Sequence, residues 1–334
     1  MRRGGMRQAG ARLLLTLQAL LLLSAVGGTA ALAQGGAPPP GKPLRIIVAF
    51  PPGGATDIVA RYIQQPLAEA LGQPVVIENK PGGSGIIGTE AVARAPPDGT
   101  VIGMGTSSLA ASPALYASLP YDVLKDIRPI TIVARSPNLI SVHVSSPIKT
   151  LGDLLEAAKR SPGRLIVATS GNGNAQHFGL EQIKITTATD IVHLPYRGAG
   201  PALNDLAAGQ VEIGWLNIAG SLPFVKSGQL RPIAITSLRR SSSLPDIPTV
   251  SEQFAGFDFS EWFALIAPGG LPDDLVERLY VAVVKAARTP DVVAKIRDAG
   301  MELDLNTPAE FRALMLTEHK KLGDLARRAN IKLD

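Results

Sequence analysis

Leu44-Arg45-Ile46-Ile47-Val48-Ala49-Phe50-Pro51-Pro52-Gly53-Gly54-Ala55-Thr56-Asp57-Ile58-Val59-Ala60-Arg61 runs from a continuous apolar segment through a proline- and glycine-rich turn into a helical pattern. An apolar run without alternation is the signature of a strand covered on both faces. The helix expected over Asp57 to Leu71 supplies one of those covers. Runs of the same type recur at Val75 to Glu78, Val101 to Gly105, Ile130 to Ala134, Leu139 to Val144, Leu165 to Thr169, Ile191 to Leu194, Val211 to Leu216, Leu230 to Thr236 and Trp262 to Ala267. Helical segments lie between them at Gly88 to Ala95, Thr150 to Arg160 and Pro201 to Ala208, with Asp273 to Ala287 after the last. Strand alternating with helix predicts an α/β protein with mainly parallel sheets flanked by helices. Beyond Ala267 the pattern is helical almost to the end, with Pro272, Thr289-Pro290 and Thr307-Pro308 marking helix starts.

The chain has 334 residues, 46% of them hydrophobic and 18% charged, which suits two domains that each bury a core. It has no cysteine. That excludes disulfide frameworks, thiolate zinc sites, CxxC redox chemistry and cysteine nucleophiles.

Residues 1–33 combine Arg2, Arg3, Arg7 and Arg12, an apolar run from Leu13 to Leu23 interrupted only by Thr16 and Gln18, and a closing Ala31-Leu32-Ala33. This is the order of a secretory signal peptide, with cleavage expected after Ala33; the apolar run is short of the roughly 20 residues a membrane span needs. Residues 34–43 read as a disordered leader. The formal charge of +5 then shrinks, because the segment removes four arginines and no acid and leaves 29 basic against 28 acidic side chains. With 4% aromatics and, after residue 33, no run of lysine and arginine longer than a pair such as Arg239-Arg240, a nucleic-acid partner is not expected. The first residue after cleavage would be Gln34, so lipid anchoring through an N-terminal cysteine is not expected either.

Four glycine loops carry what chemistry the chain offers. Phe50 to Asp57 leads a strand into a helix start, where backbone N–H groups and the positive helix end can hold an anion without a cationic side chain; an ordinary tight βα turn accounts for it equally well. Gly83-x-Gly85-x-x-Gly88 follows a strand, as a dinucleotide fingerprint would, but the next strand ends in Thr106-Ser107-Ser108 rather than the acid that fingerprint needs. Ser170 to His177 repeats the strand, loop and helix-start logic of the first loop. His177 is open to reading as a base or ligand, but no two of the four histidines share a metal-ligand spacing, and a positioning or capping role is favoured. Tyr196 to Pro201 ends a strand at Gly198-Ala199-Gly200-Pro201, with Pro201 suited to a first helical turn.

In order, Pro51-Pro52-Gly53-Gly54-x-x-Asp57-x-x-Ala60-Arg61, Glu78-Asn79-Lys80-Pro81-Gly82-Gly83-Ser84-Gly85, Pro97-Asp98-Gly99-Thr100 and Leu119-Pro120-Tyr121-Asp122 resemble the extracytoplasmic receptors of tripartite tricarboxylate transporters, the TctC or Bug family. The resemblance continues through Pro195-Tyr196-Arg197-Gly198, Pro201-Ala202-x-x-Asp205-Leu206, Gly209-Gln210-Val211 and Pro245-Asp246-Ile247-Pro248-Thr249-Val250-x-Glu252. It implies a two-domain type II periplasmic-binding-protein clamshell closing by a hinge, with domain 1 at 44–139 plus 263–334 and domain 2 at 140–262. Crossing strands are expected around Leu139 to Val144 and Trp262 to Ala267. It also implies a small carboxylate ligand, membrane permease subunits as partners, a monomer, no cofactor, no metal and no catalysis. The pocket it implies draws on Phe50, Gly53, Gly54, Thr56, Asp57, Thr106, Ser107, Ser170, Gly173, Asn174, His177, Gly198 and Pro201, with Asn217 nearby.

Asn174 stands where the family commonly has Ser or Thr, and Trp215-Leu216 where an acid commonly follows the aromatic. Trp215 is therefore either part of the pocket, suiting an apolar or aromatic tail on the ligand, or simply core. Two other functions fit the same sequence: a secreted α/β enzyme using His177 with Asp57, and a ligand-dependent partner of a sensor kinase.

Overall fold

The computed structural model describes residues 42–333, so the expected signal peptide, its expected cleavage site and all of the expected leader except Lys42-Pro43 lie outside the described residues. The opening segment forms β1 (Leu44–Val48) and α1 (Ala55–Leu71), followed by β2 (Val75–Asn79), α2 (Ile86–Ala93), β3 (Val101–Thr106), α3 (Ser108–Leu115) and β4 (Ile127–Ser136). Next come β5 (Asn138–His143), α4 (Leu151–Arg160), β6 (Ile166–Thr169), α5 (Ala175–Thr187), β7 (Val192–Pro195), α6 (Ala199–Ala207), β8 (Ile213–Asn217), α7 (Ile218–Lys226) and β9 (Leu230–Ile235). The chain closes with β10 (Glu261–Pro268), α8 (Asp273–Ala287), α9 (Pro290–Asp298), β11 (Glu302–Leu303) and α10 (Pro308–Arg328).

The strands form two sheets, ordered β11-β4-β10-β3-β1-β2 and β7-β6-β8-β5-β9. The α/β class holds, but both sheets are mixed rather than mainly parallel. β1 pairs parallel with β2 and β3, and β6 with β7 and β8. β10 runs antiparallel to β3 and β4, and β5 antiparallel to β8 and β9. The short β11 also runs antiparallel, to β4, while the two longer departures, β5 and β10, are strands next to a change of sheet. β4 gives way to β5 after the single residue Pro137, and β10 brings the chain back to the first sheet.

Burial explains the continuous apolar strands. Leu44, Ile46 and Val48 pack with Val59, Ile63, Leu275, Leu279 and Val283 of α1 and α8, while Ile47 faces a second core with Val92 of α2, Leu109 of α3 and Phe311 of α10. Each such side chain contributes about 1.5–3 kcal/mol on full burial, and β1 is buried at four of its five positions. The helix starts at Thr289 and Thr307 carry proline in the first turn, and Thr307 forms a reciprocal capping box with Glu310. The hydroxyl-rich stretch from Thr106 turns directly into α3, with Pro113 inside it, so the small apolar residues Leu109 to Ala111 are helix rather than loop.

Among the described residues no helix is long and apolar enough to cross a membrane.

Candidate functional site

Within each sheet the parallel strands place the predicted loops side by side. The loops after β1 (50–54), β2 (80–85) and β3 (106–108) leave the carboxyl ends of three strands paired in parallel register. Those after β6, β7 and β8 do the same in the second sheet. Register also fixes where the crossings lie. Thr106 pairs with Phe263 near the start of β10, and Asn138, first residue of β5, pairs with Asn217, last residue of β8. Both loop clusters therefore sit at the sheet ends where the chain changes sheets, the position at which open α/β sheets take ligands.

In the first cluster Asp57 is 2% exposed and points inward. Its Oδ2 accepts from the Gly53 N–H at 3.0 Å and Arg61 Nε at 2.8 Å, and its Oδ1 from Asn79 Nδ2 at 2.9 Å and Arg61 Nη2 at 3.0 Å. Burial pushes this carboxyl up, but the bonds from Arg61, Gly53 and Asn79 outweigh it and hold it below the usual range. Asp57 thus fastens the turn. What the turn offers outward is backbone: Gly53 and Gly54 are exposed, and Gly54 caps α1 with no side chain, leaving first-turn N–H groups open. Thr56 is buried and Phe50 partly so. Gly88 lets α2 approach β1, since a Cβ there would lie 2.6 Å from Ala49 Cα; the other two glycines of the fingerprint-like motif, Gly83 (φ 55°) and Gly85 (φ 98°), supply the left-handed backbone of the turn.

In the second cluster Gln176 Oε1 accepts from both the N–H and the Oγ of Ser170 at 2.8 Å, and its Nε2 donates to Asn138 Oδ1 at 3.1 Å. Asn174 caps α5 by accepting from the His177 N–H and donates to Ser170 Oγ at 3.0 Å. His177 Nδ1 accepts from the Gly173 N–H at 3.1 Å, and the ring stacks on His193 with centroids 4.1 Å apart. Burial lowers His177 to about 4 and His193 to about 3, so both imidazoles are neutral at physiological pH. His177 is a loop fastener, as Asp57 is. Gly198 (φ 113°) caps α6 with no side chain, and Pro201 is exposed in its first turn. Asn217 Oδ1 is occupied by Ser136 Oγ at 2.9 Å and the Ala219 N–H at 3.0 Å, which ties the second cluster to the end of β4.

A cavity of about 260 Å³ adjoins these loops. Ser107, Gly173 and Asn174 line it, together with Arg135, Phe178, Asp258–Ser260 and Leu314, Thr317, Glu318, Lys321 and Leu322 of α10. Gly53, Gly54, Gly198, Pro201 and Asn217 do not line it, so the enclosed space lies beside the crossing and the last helix rather than between the helix starts at Gly54 and Gly198. Trp215 does not line it either. It is 2% exposed, packs against Phe257, and would meet any Cβ at Gly179 at 2.7 Å, which makes it core.

Three residues that sequence reasoning missed act here. Gln176 and Asn79 bond across turns to loop residues. Glu261 Oε1 accepts from Ser107 Oγ at 3.0 Å, joining the start of β10 to the first cluster. Burial pushes the Glu261 carboxyl up to about 7, against the hydrogen bonds from Ser107 and Thr106 and with the help of nearby Glu318. A charge opening an otherwise apolar crossing strand was the only signal for Glu261, and Asn79 stood in a recognisable motif without a stated role.

Two sheets joined by two crossings, with loop clusters meeting at those crossings, define a two-lobed solute-binding protein. The chain belongs to the tripartite tricarboxylate transporter family receptors, TctC, whose family pattern matches residues 59–331. Protein BugT of Bordetella pertussis is 34% identical over 297 residues, covering 88% of this chain and 91% of its own. The structure of Rpa4515 from R. palustris with adipate matches with TM-score 0.81 at 33% identity, over 88% of this chain and 99% of that one. MatC from Rhodopseudomonas palustris with bound malate matches with TM-score 0.76 at 30% identity, over 86% and 99%.

Proposed function

We propose that this chain is a periplasmic receptor that captures a small organic acid between its two loop clusters and delivers it to the permease subunits of a tripartite transporter. The observation that carries this reading is the pair of helix starts in the loop clusters that lack a side-chain cap and whose capping residue is not buried, Gly54 in the first cluster and Gly198 in the second, at the ends where the sheets are joined; Gly85 and Ser107 start helices without a side-chain cap too, but are buried. Open first-turn N–H groups and the helix dipole favour a carboxylate at each place. Two such places suit an acid charged at both ends, and the adipate and malate held by the two structural relatives are of that kind. Ser107 and Asn174, which line the adjoining cavity, would supply side-chain contacts to the acid, while Ser170, whose proton goes to Gln176, holds Asn174 in place.

The receptor acts without catalysis and as a monomer. In support, His177 has its Nδ1 engaged by Gly173 and its ring against His193, so it is not poised as a base. The lobes divide at the two crossings, within a few residues of 139 and 263, and closure about them encloses the ligand. Export follows from residues 1–33, with cleavage after Ala33. N-terminal sequencing of protein recovered from the periplasmic fraction tests that step.

Thermal unfolding of the protein with mono-, di- and tricarboxylates, amino acids and aromatic acids tests the binding. At about 100 times the dissociation constant an acid adds about 2.7 kcal/mol, a rise of several degrees for lobes of this size. A saturable rise with one class of acid, without consumption of that acid, is expected. No rise with any acid after refolding, or turnover of the acid, would refute the reading.

A further inference from the structure

A serine hydroxyl has one proton and two lone pairs, so what lies behind it decides what it can offer in front. Behind Ser107 lies Glu261: the two oxygens are 3.0 Å apart, and Ser107 lines the cavity while Glu261 does not. The neighbouring Thr106 Oγ1 and Ser108 Oγ are bonded to each other at 2.8 Å, and Thr106 also lies close enough to Glu261 to favour its charged form, as Ser107 does.

We infer that Glu261 is a positioning residue for anion capture: protonated, it donates to Ser107 Oγ and leaves the serine proton for the incoming carboxylate; ionised, it draws that proton to itself. This rests on the reading of the loops as a carboxylate site. Glu261 also opens β10, so the same contact links the crossing between the lobes to the first loop cluster.

The charged groups packed around Glu261 do not neutralise it. On α10, Glu318 is a second, partly buried acid that accepts from Trp262 Nε1 at 2.8 Å, and Lys321 donates to the Asp258 carbonyl at 3.1 Å. On β4, Arg135 is paired with Asp304. The crossing segment adds Asp258, another negative charge, and the end of β3 with the start of α3 offers only the hydroxyls of Thr106, Ser107 and Ser108. An anion arriving at Ser107 therefore favours the proton on Glu261, and capture takes up a proton. The rise of Glu261 to about 7 puts this exchange near neutral pH.

Calorimetric titration with adipate and with malate, from pH 6.5 to 8.5, tests the inference. Both acids are more than about nine-tenths doubly ionised throughout, because carboxyls, even the second of a diacid, titrate well below pH 6.5. The dissociation constant of whichever acid binds should rise about tenfold over that range. At pH 7 the binding heat should differ between two buffers of different ionisation enthalpy, reporting proton uptake. In E261Q the amide donates to Ser107 at every pH, so both effects should vanish, and S107A should flatten the profile at the weaker affinity. Binding that is flat with pH and gives equal heats in both buffers overturns the role of Glu261 and leaves the receptor reading standing. Absence of binding by both acids at every pH overturns the inference for these diacids, and the receptor reading falls with it only if the thermal screen finds no other acid that binds. Should E261Q fail to fold, the wild-type buffer comparison decides by itself.

Discussion

Asp57→Asn isolates the fastening of the first loop. The carboxylate takes four hydrogen bonds, two at each oxygen, all from donors: the Gly53 N–H, two nitrogens of Arg61 and Asn79 Nδ2. An asparagine turns one oxygen into a donor, so in either orientation two of the four bonds become donor facing donor. Bonds to a charged group contribute about 1.5–3 kcal/mol each. The Arg61 side chain is 50% exposed and its share is screened to about 1 kcal/mol or less. The expected loss is therefore about 2–4 kcal/mol, or roughly 4–16 °C in Tm for a domain of 150–250 residues. A loop freed at Gly53 should also exchange its amide protons faster and bind the acid more weakly. The pH dependence carries a sign. Asp57 sits below its ordinary value of 3.8 in the folded state, so its contribution is complete above pH 3.8 and is lost as pH falls through the lower folded value. The gap in Tm between wild type and D57N should thus narrow on acidification below pH 3.8. A gap under about 2 °C at pH 7, or one that stays constant in acid, would refute the account.

Gly88→Val should cost at least about 3 kcal/mol, or prevent folding, because its Cβ would meet Ala49 Cα at 2.6 Å and the Lys80 carbonyl at 2.9 Å; calorimetric Tm measures it. Gly179→Ala should cost about 1–3 kcal/mol against the Trp215 ring, and adding Trp215→Phe should recover part of that loss in a double-mutant cycle. Ligand affinity should not follow Trp215→Phe, because Trp215 is core. His177→Leu strips the Gly173 N–H of its acceptor at a cost of about 1–3 kcal/mol. Wild-type stability from the neutral His177 and His193 is complete above pH 6.5 and falls as pH drops through about 4 and then about 3, a decline that H177L should show in reduced form in acid unfolding curves. Glu261 works the other way, present in full below pH 4.5 and lost as pH rises through about 7, so E261Q should gain in Tm on wild type across that window.

Much of the molecule is legible along the chain. Each of the ten predicted apolar runs is a strand, and the glycine loops at 50–54, 170–174 and 196–200 stand where a strand hands over to a helix. Apolar periodicity, proline at a first helical turn and glycine at a turn are properties of a few consecutive residues, so they can be read without knowing what lies opposite. The expectation of a signal peptide at residues 1–33, which lie outside the described residues, rests on a pattern of the same local kind.

Tertiary structure decided the rest. Nothing local distinguishes an apolar strand that joins its sheet in parallel from one that enters antiparallel, so the mixed sheets appeared only when β5 and β10 took their partners. Asp57 and His177 read as site residues because of where they stand in the loops, yet both are buried and hold backbone in place, the exposed Gly53 in one case and the cavity-lining Gly173 in the other. Trp215 was open between pocket and core until Gly179 and Phe257 closed on it. Glu261 meets Ser107 across 154 positions of sequence. Local pattern depends on residues within about one helical turn of each other, whereas a side chain's partner, its burial and its protonation depend on which distant elements the fold brings against it.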